Sequence, residues 1–200
     1  GYGGPKDERQ GVEWLEKAYA QGKTEAATRL GNAYLRGEGV KKDFDKAVEF
    51  FTVGASRGEA KALCNLGFCF QWAKGVPKDM NRAIHYYQKA VEKGDDLSNY
   101  FLGLLYHYGT GVPQDYSKAL NYYLQAASHS EEFNEEIIAQ CQTQIGILYF
   151  KGLGCPPDRF LAVEWFVKAT SRKRPDPQGL FYLGSALYDG LGVDQDRKKG

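Results

Sequence analysis

Signatures of chemistry are sparse in this chain. Its three histidines, His85, His107 and His129, form no H-E-x-x-H arrangement, and its four cysteines show neither C-x-x-C nor any other metal-ligand spacing. Zinc hydrolysis and dithiol redox chemistry therefore have no footing in the sequence, and neither a metal nor a cofactor is expected. A dominant charge is lacking too: 26 Lys and Arg face 25 Asp and Glu, which leaves no net field to attract nucleic acid or an anionic membrane. No apolar run reaches bilayer-spanning length, and Gly1-Tyr2-Gly3-Gly4 does not open a signal peptide. There is no N-x-S/T sequon either, and with the cysteine pattern this favours a cytoplasmic setting.

Glycine, by contrast, is plentiful and periodic. Gly37-Glu38-Gly39-Val40-Lys41-Lys42-Asp43 returns at Gly75-Val76-Pro77-Lys78-Asp79, Gly111-Val112-Pro113-Gln114-Asp115, Gly154-Cys155-Pro156-Pro157-Asp158 and Gly192-Val193-Asp194-Gln195-Asp196, with a worn copy at Gly3-Gly4-Pro5-Lys6-Asp7. The first glycine of each pair (Gly37, Gly109, Gly152, Gly190) follows an apolar run and suits a left-handed helix end; Ala73 breaks this pattern. The second glycine permits a tight turn, and Asp43, Asp79, Asp115 and Asp158 stand where a residue caps the next helix. The motif reads as helix stop, turn, helix start.

Helical spacing fills the intervals. First-type helices carry Leu30-Gly31, Leu66-Gly67, Leu102-Gly103, Ile145-Gly146 and Leu183-Gly184, and second-type helices carry Phe50-Phe51, Tyr86-Tyr87, Tyr122-Tyr123 and Trp165-Phe166. A glycine inside a helix costs about 1 kcal/mol against alanine, so the Leu-Gly step implies close approach of a neighbouring helix. The repeats are placed at about 23–58, 59–94, 95–133 and 134–174, with half repeats at 1–22 and 175–200. Such an all-α solenoid, starting and ending on half a unit, is expected to be a fragment of a longer protein. Seven extra residues precede the fourth pair. There Ser128-His129-Ser130-Glu131 reads as a capping box, and Glu132, Glu135 and Glu136 favour a lengthened helix. Cys69, Cys141 and Cys155 align with small apolar positions and are expected to be buried, whereas Cys64 aligns with more exposed ones; no disulfide is expected.

The order Ala-x-x-x-Leu-Gly-x-x-Tyr, Gly-x-Gly-Val-x-x-Asp, Ala-x-x-aromatic-aromatic over nearly all of the chain resembles the Sel-one-like repeats, relatives of the tetratricopeptide repeat. The resemblance implies helix pairs stacked in a superhelix whose concave groove is lined by the Leu-Gly helices. By analogy with tetratricopeptide arrays, residues five and two before the Leu, and two, five and six after it, face that groove. These are Glu25, Thr28, Asn32, Leu35 and Arg36, then Lys61, Cys64, Phe68, Gln71 and Trp72. Leu97, Tyr100, Leu104, His107 and Tyr108 follow, then Gln140, Thr143, Ile147, Phe150 and Lys151, and finally Gln178, Phe181, Ser185, Tyr188 and Asp189. Trp72, Tyr100, His107, Tyr108 and Phe150 are the foremost contacts; Arg36 and Lys151 stand ready for acidic groups, and Phe68 and Tyr188 complete the expected groove set.

The resemblance also implies a non-enzymatic adaptor that binds a protein or peptide, as a free scaffold or as the regulatory region of a larger protein such as a kinase or a degradation-complex subunit. Its alternative is a secreted enzyme or small-molecule binder, since some bacterial relatives are linked to β-lactam binding; no S-x-x-K motif accompanies that alternative here. The basic runs Arg172–Arg174 and Arg197–Lys199 are short and not repeated, so they read as solubility features, and no nucleic-acid role follows.

Overall fold

A computed structural model describes residues 7–128 and 134–192, all helix and connecting turn, with ten helices among the described residues. The chain divides into two compact units, residues 1–95 and 96–200. The first holds α1 (Glu8–Ala20), α2 (Glu25–Arg36), α3 (Phe44–Ser56), α4 (Ala60–Trp72) and α5 (Met80–Glu92). The second holds α6 (Asp96–Tyr108), α7 (Tyr116–Ser128), α8 (Glu135–Lys151), α9 (Arg159–Thr170) and α10 (Pro177–Tyr188). Within each unit every helix packs on the next, and in the second α8 also touches α6 and α10. The fold is an all-α solenoid of tandem helix pairs.

The repeated motif does its local work as the sequence suggests. Asp43, Asp79, Asp115 and Asp158 each accept a hydrogen bond from the backbone N–H three residues on, at 2.9–3.0 Å, and Asp7 does the same for α1. Their own N–H groups donate back to the carbonyls of Tyr34, Phe70, Tyr106 and Tyr149 at 2.9–3.0 Å, tying each turn to the helix it leaves. Gly37, Gly109, Gly152 and Gly190 have φ between 65° and 78°, and Ala73 holds the same left-handed geometry at 52° without glycine's freedom.

The two glycines of the repeat that lie elsewhere are packing devices. A Cβ on Gly31, Gly67, Gly103 or Gly146 would lie 2.5–2.7 Å from the ring of Phe51, Tyr87, Tyr123 or Phe166, the second aromatic of the following helix. Those four rings are fully buried, and burying each contributes roughly 1.5–3 kcal/mol, more than the glycine's helical cost. Meanwhile the second motif glycine sits against backbone. Gly39 abuts the carbonyl of Glu8, Gly75 that of Phe44, Gly154 the Tyr116–Ser117 peptide and Gly192 the carbonyl of Arg159, in each case the first turn of the preceding second-type helix. This glycine is therefore an inter-repeat joint as well as a turn residue.

Several expectations are corrected. Helix α8, at 17 residues, is indeed the long one, but Asn134 caps it, accepting from Glu136 N; Ser128 ends α7, its hydroxyl bonded to Gln125 O. Arg172 is not an idle surface charge, since it pairs with Glu135 at 3.1 Å, while Arg174 stays exposed with Glu136 3.9 Å away, so the two lengthened stretches meet. Cys64 is buried, 2 % exposed, with Cys69 and Cys141, while Cys155 is half-buried. All four cysteines are free thiols. His129, Ser130, Glu131 and Glu132, the Gly3–Lys6 copy, and Val193 onward with Asp196 and Arg197–Lys199 lie outside the described residues.

Candidate interaction faces on the first-type helices

Exposure along the first-type helices fixes which positions face outward, and on α2, α4 and α8 it shifts the expected register by one residue. On those three helices the residue two before the Leu or Ile is buried (Thr28, Cys64, Thr143), whereas one before it Arg29 is exposed and Asn65 and Gln144 are half-buried; on α6 Tyr100 and Phe101 are both half-buried, and on α10 Phe181 keeps the expected outward place at 68 % exposed beside a half-buried Tyr182. Ile147 is also buried. The reason is helical geometry: 65, 68 and 72 lie on one stripe at i, i+3, i+7 spacing, whereas 64 points toward the helix pair. Alternation of buried Ala62, Leu63 and Leu66 around Asn65 is the signal in the sequence that marks the stripe.

In the first unit α2 presents Glu25, Arg29, Asn32 and Arg36, and α4 presents Lys61, Asn65, Phe68 and Trp72. Asn65 Nδ2 donates to Asn32 Oδ1 at 3.0 Å across the two repeats. Phe68 is half-buried with its ring centroid 6.4 Å from that of Trp72, which is 56 % exposed. Arg36 lies 3.6 Å from Glu38, both exposed. Gln71, expected on the face, is instead turned to accept from Tyr87 Oη at 2.7 Å.

In the second unit Tyr108 is 63 % exposed and its ring lies 4.6 Å from that of His107. His107 is half-buried among Tyr108, Tyr116 and Tyr123, and its Nδ1 and the Tyr123 hydroxyl are buried without hydrogen-bond partners among the described residues. Burial, with the nearby Lys151 ammonium, holds its pKa below the ordinary histidine value. Tyr100 donates to Gln140 Oε1 at 2.8 Å, and burial pushes its phenol up to about 12. Phe150 packs on Phe166 and Tyr182, and Lys151 lies over the Tyr182 ring at 5.8 Å. Gln144 Nε2 donates to Gln178 Oε1 at 3.1 Å. Tyr188, one place beyond the repeat's aromatic position, is 93 % exposed.

Thus the expected set separates into Arg36, Phe68 and Trp72 on the first unit and Tyr100, His107, Tyr108, Phe150, Lys151 and Tyr188 on the second, each described within its own unit. Two open recesses, about 450 Å³ beside Ser56, Leu63 and Tyr86 and about 470 Å³ beside Gln142, Lys168 and Arg172, include no residue of these stripes.

Catalytic fragments in the sequence dissolve in the fold. Gly54-Ala55-Ser56-Arg57-Gly58 has G-x-S-x-G spacing, but Ser56 ends a helix and donates to Val53 O, whereas a nucleophile elbow follows a strand. Gly22-Lys23-Thr24 likewise follows helix α1, with Lys17 where a phosphate loop needs its first glycine. Among the described residues no group of three His, Cys, Asp or Glu is placed to hold a metal ion, and no helix is long and apolar enough to cross a membrane.

The Sel1 repeat pattern matches six segments, residues 1–23, 24–59, 60–95, 97–130, 139–173 and 177–200. Among solved structures the chain is similar to a protective antigen of uropathogenic Escherichia coli strains displaying an SLR fold, at 32% identity and TM-score 0.83 over 95% of this chain and 39% of that one. It is also similar to a Sel1 repeat protein from Oxalobacter formigenes, at 28% identity and TM-score 0.79, covering 94% of this chain and 75% of that one. A Klebsiella pneumoniae sel1 repeat protein shares the fold at 20% identity and TM-score 0.54, covering 89% and 81%. Against curated proteins the sequence finds no match. The chain thus spans well under two thirds of the E. coli antigen.

Proposed function

The chain belongs to the Sel1 repeat family, and on that footing we propose that it is a non-enzymatic adaptor whose first-type helices hold a segment of a partner protein. Sel1 repeats are generally protein–protein interaction modules. One observation carries the reading to particular residues: Trp72 in the first unit and Tyr108 in the second are more than half exposed, whereas the other large rings of α4 and α6 are buried or half-buried. Trp and Tyr are among the side chains most enriched in binding hot spots. Phe68 backs Trp72, and His107 backs Tyr108. In this reading Arg36, Tyr100, Phe150, Lys151 and Tyr188 flank the two anchors.

The test is partner recovery from a cell lysate with Trp72→Ala and Tyr108→Ala, singly and together, after circular dichroism shows native helix content. Recovery should fall for each single variant and vanish for the double. Unchanged recovery with the double variant would move the site off the first-type helices and end this assignment.

A further inference from the structure

Resting on that reading, we infer that the first unit's face receives an extended, acidic segment of the partner, gripped by its main chain at Asn32 and Asn65 and anchored by an apolar side chain on Phe68 and Trp72. The grip follows from the amide pair. Each carboxamide offers both donors and an acceptor. The single bond from Asn65 Nδ2 to Asn32 Oδ1 leaves the Asn65 oxygen and the Asn32 nitrogen without partners among the described residues. One acceptor and one donor side by side, half-buried between α2 and α4, match the N–H and C=O of a peptide unit. A helical ligand has already spent those groups on itself, except at its ends, so extended chain is the ligand backbone that can use the pair along its length.

Charge supplies the second argument. The eight stripe residues of α2 and α4 include three cations, Arg29, Arg36 and Lys61, against one carboxylate, Glu25. Arg29 and Lys61 make no ion pair among the described residues, and Arg36 has only its exposed contact to Glu38. Acidic side chains beside the gripped peptide unit would meet Arg29 and Lys61. Asn65 and Trp72 are seven residues apart on α4, roughly 10 Å, which an extended chain covers in about three residues. The expected ligand therefore carries Asp or Glu about three residues from a large apolar side chain.

The experiment pans a random peptide library, displayed with both ends tethered, on the whole chain, then remakes the best binders with blocked ends. Binders should be enriched in that acidic and apolar pattern. Methylating single backbone nitrogens should weaken binding about tenfold at one or two positions and little elsewhere. Arg29→Gln with Lys61→Gln should weaken it severalfold and flatten its salt dependence. Because Asn65→Leu also breaks a bond between repeats, the peptide-side methylation decides the main-chain claim whatever that variant does to folding. Binders lost with Trp72→Ala that tolerate every N-methyl group, or that tighten when helix-favouring residues are inserted, would overturn the extended grip and leave the adaptor reading standing. Binders indifferent to both Trp72→Ala and Tyr108→Ala, or no binders at all, would overturn the adaptor reading and this inference with it.

Discussion

His107 occupies the place that Gln71 fills one repeat earlier, and the exchange costs a buried hydrogen bond. Gln71 takes the Tyr87 proton, while Tyr123 and the imidazole Nδ1 are each left without a partner. A buried unsatisfied polar group is destabilising by about 1–3 kcal/mol, so His107→Gln should raise the thermal midpoint, whereas Tyr87→Phe should lower it. The same histidine makes an acid-sensitive point. Its folded pKa lies below the unfolded value of 6.5 because burial, and then Lys151, disfavour the imidazolium. The unfolded chain therefore takes up the proton first: the stability contribution is intact above about pH 6.5 and is lost as pH falls toward the folded pKa. Denaturant midpoints between pH 7.5 and 5 should show this loss in wild type and less of it in His107→Gln; parallel profiles would refute it. Residue identity was legible here, but partnership was not, because nothing in a sequence says whether a histidine will meet the hydroxyl opposite. The thiols show the opposite case. Burial pushes Cys69 to about 11 and Cys141 to about 12, so neither should react with alkylating reagents at neutral pH until the chain unfolds, when four thiols should titrate.

At the scale of the element, the helix boundaries were written in the chain because caps are local chemistry. Asp43, Asp79, Asp115 and Asp158 each bond a backbone N–H three residues away, and local geometry needs no tertiary knowledge. Asp79→Ala should accordingly cost about 0.5–2 kcal/mol by denaturant titration, with Asp79→Asn close to wild type. Ala73 offers the converse. Its φ of 52° is a glycine conformation, and Ala73→Gly should stabilise by about 1 kcal/mol; a destabilised variant would show that the methyl group is held by contacts stronger than its backbone strain. The start of α8 departs from the capping box read at Ser128 because α7 extends through Ser128, which leaves Asn134 to cap α8. The face register slipped for a similar reason: position 64 or 65 turns outward according to how α4 is rotated against α5, and Tyr87 lying on Gly67 sets that rotation.

For the molecule as a whole, period and helix pairing were recoverable because every unit repeats the same stops, turns and starts. What the period could not show is how, within each compact unit, one repeat fastens to the next. Gly39, Gly75, Gly154 and Gly192 press on main-chain atoms of Glu8, Phe44, Tyr116–Ser117 and Arg159, places whose side chains range from acid through aromatic ring to base. A joint made mostly by backbone on backbone depends little on what the neighbouring residue carries, even where a side chain adds to it, as the Ser117 hydroxyl does by donating to Gly154 O. Mutation can therefore rewrite much of the face of a repeat while this joint stays in place, provided the glycine stays. Recognition and assembly are thereby written in separate alphabets, one of side chains and one of peptide units, and the first is free to drift toward a new partner while the second holds the array together.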